Sequence, residues 1–221
     1  LIAPTSGAIL LREPSHKLIF NLRAPHRLEA EKSIAYLKVV GITRIAVVYV
    51  DNAFGAEIVD GVRRGFATQG ISPTAIVKAS VENPDIPGIV GTIIKSDPQT
   101  LIWIGASTVV SAGVKALRAA GSDVQVLTFS NNASTGFIKQ LGDHARGVIV
   151  TQVMPSERNV AYSVIREAQE LAKAANFKDL SPTSLEGFMG AKLLVEALRR
   201  AGPRPTREGL VKTLNSMRRY D

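Results

Sequence analysis

The chain has 221 residues, 45% of them apolar and 21% charged, which is enough to bury a substantial core and too apolar for a disordered chain. Cysteine is absent, which excludes disulfides and thiolate chemistry, and no apolar stretch approaches the roughly 20 residues that span a bilayer. The net charge of +8 is uneven: between Lys192 and Asp221 eight basic residues (Lys192, Arg199, Arg200, Arg204, Arg207, Lys212, Arg218, Arg219) stand against Glu196, Glu208 and Asp221. No aromatics are interleaved there to stack on bases, so this tail reads as solvated helix faces and helix ends, with no nucleic-acid partner.

In chain order, "LIAPTSGAILL" opens at full hydrophobic pitch without a charged-then-apolar leader, as though the chain were entered in mid-domain; a fragment is expected. "LIAPTSG" and "KLIFNLR" read as two strands, followed by a helix over Glu29 to Val40. "RIAVVYV" (44–50) is a continuous β-branched run of the kind buried on both faces of a parallel sheet. Phe54, Ile58, Val62 and Phe66 then recur every four residues as one helical stripe ending near Gly70.

"TAIVKASV" (74–81) is the next strand, and Ile86, Ile89, Val90, Ile93 and Ile94 mark the next helix. "TLIWIG" (100–105) precedes a helix carrying Val110, Val114 and Leu117 and stopped by Gly121. "VQVLTF" (124–129) and "GVIVTQV" (147–153) complete the strands, with a short helix around Ser134 to Leu141 between them. Beyond Met154–Pro155 the pattern is helical over Val160 to Ala175 and Ser184 to Arg200, and Thr206 is a candidate N-cap for a third helix. Alternating strands and helices imply right-handed crossovers and a parallel α/β sheet, with ligands beyond the carboxyl ends of the strands. "VDNAFG" (50–55), "GAST" (105–108) and "SNNAS" (130–134) fall on that edge.

The chemistry at those loops favours binding. The first strand–helix turn, "DNAFGAEI", has Phe54 where a dinucleotide fingerprint needs a glycine, and no Walker-type loop exists. His16, His26 and His144 are scattered without metal-ligand spacing, and Ser107 and Ser130 lack a nucleophile elbow. Asn131 and Asn132 exchange hydrogen bonds but are not proton-transfer groups. Neither metal nor cofactor nor catalytic residue is expected. Asn52 reads either as a helix cap or as a ligand contact, and Phe54 either as a cleft wall or as the first knob of its helix stripe.

"GITRIAVVYVDNAFG", "DPQTLIWIGAS", "GFIKQLGDHARGVIVTQVMP" and "SLEGFMGAKLLVEALRRAG", in that order, resemble the type I periplasmic solute-binding proteins, specifically the leucine/isoleucine/valine-binding branch that serves ABC importers. The resemblance covers essentially the whole chain. It implies two flavodoxin-like α/β lobes that close by a hinge on a small polar solute, an amino acid or related organic compound, and then deliver it to a membrane permease. It also implies a non-enzymatic protein in the periplasm or tethered to the outer face of the membrane, made with a signal peptide.

On that mapping, residues 24–152 are the complete second lobe, residues 1–23 two strands of the first, and residues 153–221 helices of the first. The full-length form is expected as a monomer. A fragment that exposes sheet edges is expected to dimerise or exchange strands. The family's ligand-facing positions fall on Asn52, Ala53 and Phe54, on Ala106 and Ser107, and on Asn131 and Asn132. His26 either faces the cleft or is an ordinary surface histidine. Asn131 and Asn132 stand where relatives carry a carboxylate, and a neutral amide does not supply the charge-assisted bond an ammonium requires. The runner-up is a ligand-sensing regulator that binds a small amide or sugar and signals to a partner protein.

Overall fold

The structure, a computed structural model, describes residues 1–178 and 180–217; Arg218, Arg219 and Asp221 of the basic tail lie outside the described residues. The chain divides into two compact units, Pro25–Val153 and a second formed by Leu1–Ala24 with the residues from Met154 onward.

The Pro25–Val153 unit is an α/β layer structure built on β1 (Ile45–Val50), β2 (Ala75–Ala79), β3 (Thr100–Ile104), β4 (Gln125–Thr128) and β5 (Val148–Val150). The five strands are all parallel and ordered β2-β1-β3-β4-β5, so the winding reverses between β1 and β3. Strand side chains alternate between two cores. Ile45, Val47, Ile102, Ile104, Leu127 and Phe129 face α1 (His26–Val39) and α2 (Ala53–Gln69). Ala46, Val48, Leu101, Trp103 and Val126 face α3 (Ile86–Lys95), α4 (Ser107–Ala119) and α5 (Thr135–Leu141). Covering both faces is what a continuous apolar run such as "IAVVYV" demands.

Close packing constrains two glycines. A Cβ on Gly113 of α4 would stand 1.8 Å from the Trp103 ring, and one on Gly55 would stand 1.9 Å from the Val50 carbonyl oxygen. Only a bare backbone fits at either place. Gly70 takes a left-handed conformation (φ 64°) and ends α2, as its position after the apolar stripe predicts.

The other unit contains α6 (Ser163–Ala174), α7 (Pro182–Ala201) and α8 (Arg207–Ser216). Ser181 caps α7 by accepting from Ser184 N–H, and Thr206 caps α8 by accepting from Gly209 N–H. The two strands expected in residues 1–23 are not formed: Ile2 and Phe20 make a single parallel bridge, with Ala3 N–H donating to Phe20 O at 2.8 Å. The ladder stops because Ala3 turns to φ 45° and Pro4 has no N–H to donate. A short 3-10 turn (Ile9–Leu11) follows. Arg199 and Arg200 both reach Glu196 on α7, at 2.8 and 2.6 Å, so part of the tail's charge is neutralised locally.

Candidate functional site

In an open parallel sheet the free space lies beyond the carboxyl ends of the strands, next to the point where the winding reverses. Here those ends are Val50, Ile104 and Thr128, each followed by a turn into a helix. The three loops named from the sequence therefore share one edge.

At the end of β1, Asn52 accepts a hydrogen bond from Gly55 N–H at 2.9 Å and caps α2. Its Oδ1 is thus committed to the helix, while the residue stays exposed, as does Ala53. Phe54 is half-buried and packs against the α1/α2 core, so both sequence readings of it meet in one position. Its ring meets His26 edge-on, with centroids 5.3 Å apart and planes at 85°. His26 is the first residue of α1 and is 6% exposed. The surface reading of this histidine is corrected: the Phe54 ring and the start of α1 enclose it.

After β3, exposed Ala106 is the N-cap of α4 and has no side-chain group with which to cap it; Ser107, half-buried, is the first residue of that helix. After β4, the chain makes a 3-10 turn over Ser130–Asn132. Asn132 is 1% exposed, and its amide donates to Gly105 O (3.2 Å) and Thr128 Oγ1 (2.8 Å). Its N–H groups therefore serve the scaffold by joining the ends of β3 and β4. Asn131 is exposed and donates to Gly105 O at 3.0 Å and to the Asn132 amide oxygen at 3.1 Å. That places the Asn131 side chain beside the Gly105–Ala106 turn.

Sequence reasoning missed Glu29, a buried carboxylate of this edge with several hydrogen bonds. It sits in the first turn of α1 and is 8% exposed. Oε1 accepts from Ser130 N–H at 2.8 Å and from the Thr151 hydroxyl, and Oε2 accepts from the Ser130 hydroxyl at 2.8 Å. His26 Nδ1 lies 3.9 Å from Oε2. Burial pushes this carboxyl up, but the bonds from His26, Thr151 and Ser130 outweigh it, so Glu29 titrates below the ordinary carboxylate value. The spacing His26-x-x-Glu29 is the one local signal in the sequence; the partners lie more than a hundred residues away.

Among the described residues, no group of three His, Asp or Glu side chains is placed to hold a metal ion, and no helix is long and apolar enough to cross a membrane. Asp51 lies beside the edge but pairs with Lys78 at 3.1 Å. The edge carries the half-buried Phe54 ring backed by the buried His26, an amide (Asn131), a hydroxyl (Ser107) and an open helix start, with the buried Glu29 carboxylate bonded to Ser130.

The sequence profile described as periplasmic binding protein matches residues 2–221. A substrate-binding periplasmic protein from Ralstonia solanacearum is 32% identical, with a TM-score of 0.85 over 100% of this chain and 63% of its own. A possible leucine/isoleucine/valine-binding protein from Rhodopirellula baltica is 20% identical (TM-score 0.86, 99% of this chain, 61% of its own). A fatty acid ABC transporter substrate-binding protein from Thermomonospora curvata is 16% identical (TM-score 0.84, 99% and 58%). At these lower identities the likeness establishes the fold alone. No protein of curated function matches the chain. The chain spans somewhat less than two thirds of the length of these solved structures.

Proposed function

The chain belongs to the periplasmic binding protein family, and from that premise we propose that it is the solute-capturing component of an ABC import system. On this reading the Pro25–Val153 unit is the complete second lobe, and the other unit belongs to the first lobe. The protein works in the periplasm or tethered to the outer face of the membrane, hands its solute to a membrane permease, and closes by a hinge that the solute stabilises through better contacts in the closed state.

One observation carries this reading. At the carboxyl edge, beside the reversal between β1 and β3, the Phe54–His26 aromatic pair stands with the Asn131 amide and the Ser107 hydroxyl. These are groups that hold a small organic molecule by contact and neutral hydrogen bonds. The proposed contacts are Asn52, Ala53, Phe54, Ala106, Ser107 and Asn131, with the buried His26 and Asn132 supporting from within. Both named neighbour ligands, leucine-type amino acids and fatty acids, carry a carboxylate on an apolar chain. An apolar chain is what the half-buried Phe54 ring accommodates. The solute is accordingly a small amino acid or related organic compound. Asn131 offers an ammonium group only a neutral amide where relatives carry a carboxylate, which favours relatives of amino acids over the simple branched-chain ones.

Native mass spectrometry of the purified chain, alone and with L-leucine or octanoate added, tests the proposal. The expected result is a small-molecule adduct that is lost on denaturation and weakened at least about tenfold by Phe54→Ala. Equal binding to the wild type and to both Phe54→Ala and Asn131→Ala overturns the site, and a bound nucleotide points to an enzyme of flavodoxin-like architecture. The same spectra read the oligomeric state.

A further inference from the structure

Glu29 lies where three pieces of the Pro25–Val153 unit meet. It is in the first turn of α1, which starts one residue after Pro25, where the chain enters the unit. Thr151 stands two residues before Val153, where the chain leaves it. Ser130 opens the 3-10 turn that carries Asn131 and Asn132. The turn has three residues and β5 has three, so neither holds itself in place by local hydrogen bonding.

Two sets of bonds fix the turn. From the sheet side, the Asn131 and Asn132 amides hold Gly105 O, and Asn132 also holds Thr128. From the helix side, Glu29 takes both the N–H and the hydroxyl of Ser130. The same carboxylate takes the Thr151 hydroxyl, while Thr151 N–H is bonded to Thr128 O at 3.1 Å. Bonds to an ionised carboxylate are short, strong and directional, and here they run in a buried setting.

We infer that Glu29 is the positioning residue of the solute site: its buried carboxylate locks the Asn131-bearing turn to the two places where the chain passes in and out of this unit. It does not touch the solute, because its oxygens are occupied and it is buried. It acts through Ser130 and Thr151. This inference rests on the solute-binding reading for its purpose, though not for its geometry. A solute that grips Asn131 restrains, through one carboxylate, the residues at both passages, and a shift at either passage moves the grip.

Titration supplies a signature. Glu29's folded carboxyl titrates below the ordinary value, so the tie is complete above the ordinary carboxylate range and is lost as pH falls through the lowered value. The groups facing it from the turn and from the β5 end are Ser130 and Thr151, which are uncharged; His26, on its own helix, is the titratable neighbour.

The experiment is amide hydrogen exchange on the full chain, wild type against Glu29→Gln, Thr151→Val and Thr151→Ser, with an NMR pH titration of the Ser130 amide. Glu29→Gln sets a donor against donors and is expected to speed exchange of the 130–133 segment at least about tenfold while β1 and β3 stay protected. Thr151→Val moves the same segment in the same direction, and Thr151→Ser, which keeps the hydroxyl, restores it. In the wild type the Ser130 amide shifts in one step below the ordinary carboxylate range; in Glu29→Gln that step is gone, and a His26→Gln control separates the histidine's own titration.

Unchanged exchange at 130–133, or a uniform loss across β1 and β3 as well, overturns the inference. If Glu29→Gln does not fold, the Val/Ser pair at Thr151 decides it. Exchange is read without solute, so a failure of solute binding leaves the result standing by itself.

Discussion

The Pro25–Val153 unit closes a five-stranded sheet on both faces, while the other unit rests on two small clusters. One of these is Ile165, Ala168 and Leu185, the other Leu193, Ala197 and Leu214. Their buried charges differ too. Glu29 accepts from the Ser130 N–H, the Ser130 hydroxyl and the Thr151 hydroxyl, and His26 Nδ1 lies 3.9 Å from its Oε2. Glu186 faces Arg23 across 2.6 Å, both side chains 7% exposed, and its Oε1 has no hydrogen-bond partner among the described residues. A carboxylate can be braced by neutral donors where a sheet presents them at fixed spacing. In the other unit an arginine braces the buried carboxylate instead.

The comparison breaks most sharply at Arg23. Arg23→Ala leaves a buried carboxylate without its cation and should destabilise its unit by about 3–5 kcal/mol. Hydrogen exchange should show the loss in α7 with β1 and β3 still protected; equal loss in the strands means the two units unfold together and the contrast is unfounded.

Gly113→Ala attacks the other unit, where the new Cβ falls 1.8 Å from the Trp103 ring. Overpacking of this kind costs roughly 1–3 kcal/mol, and a methyl driven into a rigid indole belongs at the upper end. Urea unfolding followed by fluorescence of Trp103, the chain's single tryptophan, reads it directly. An unchanged midpoint would mean that α4 lifts off the sheet without penalty.

Asn52→Ala removes the α2 cap and should cost about 1 kcal/mol by thermal melting. The size of any accompanying loss of solute affinity separates capping from contact. Gly187→Ala is the smallest change and has the opposite sign. This exposed glycine inside α7 would carry a Cβ with nothing within 4 Å, so the melting temperature should rise, by up to about 1 kcal/mol of stability. A fall would show that the helical unit is packed more tightly than its small clusters indicate.

The sequence by itself determined the parallel α/β unit, because each apolar run and each helical stripe states its own period and its own buried faces. "IAVVYV" is enclosed on both sides, Gly70 ends its helix, and Thr206 starts another, all through interactions a few residues long. It also placed Asn52, Phe54, Ala106, Ser107 and Asn131 on one edge, since strand ends in a parallel sheet share a direction. It left open whether Asn52 caps and whether His26 is enclosed, since each answer depends on which group stands within reach.

Only the tertiary structure decided that Asn132 is turned inward, that His26 packs on Phe54, and that Glu29 binds residues 101 and 122 positions away. It also reduced "LIAPTSG" and "KLIFNLR" to one bridge. A strand's period is local, but a strand needs a neighbour to pair with, and a buried carboxylate needs donors that no local pattern announces.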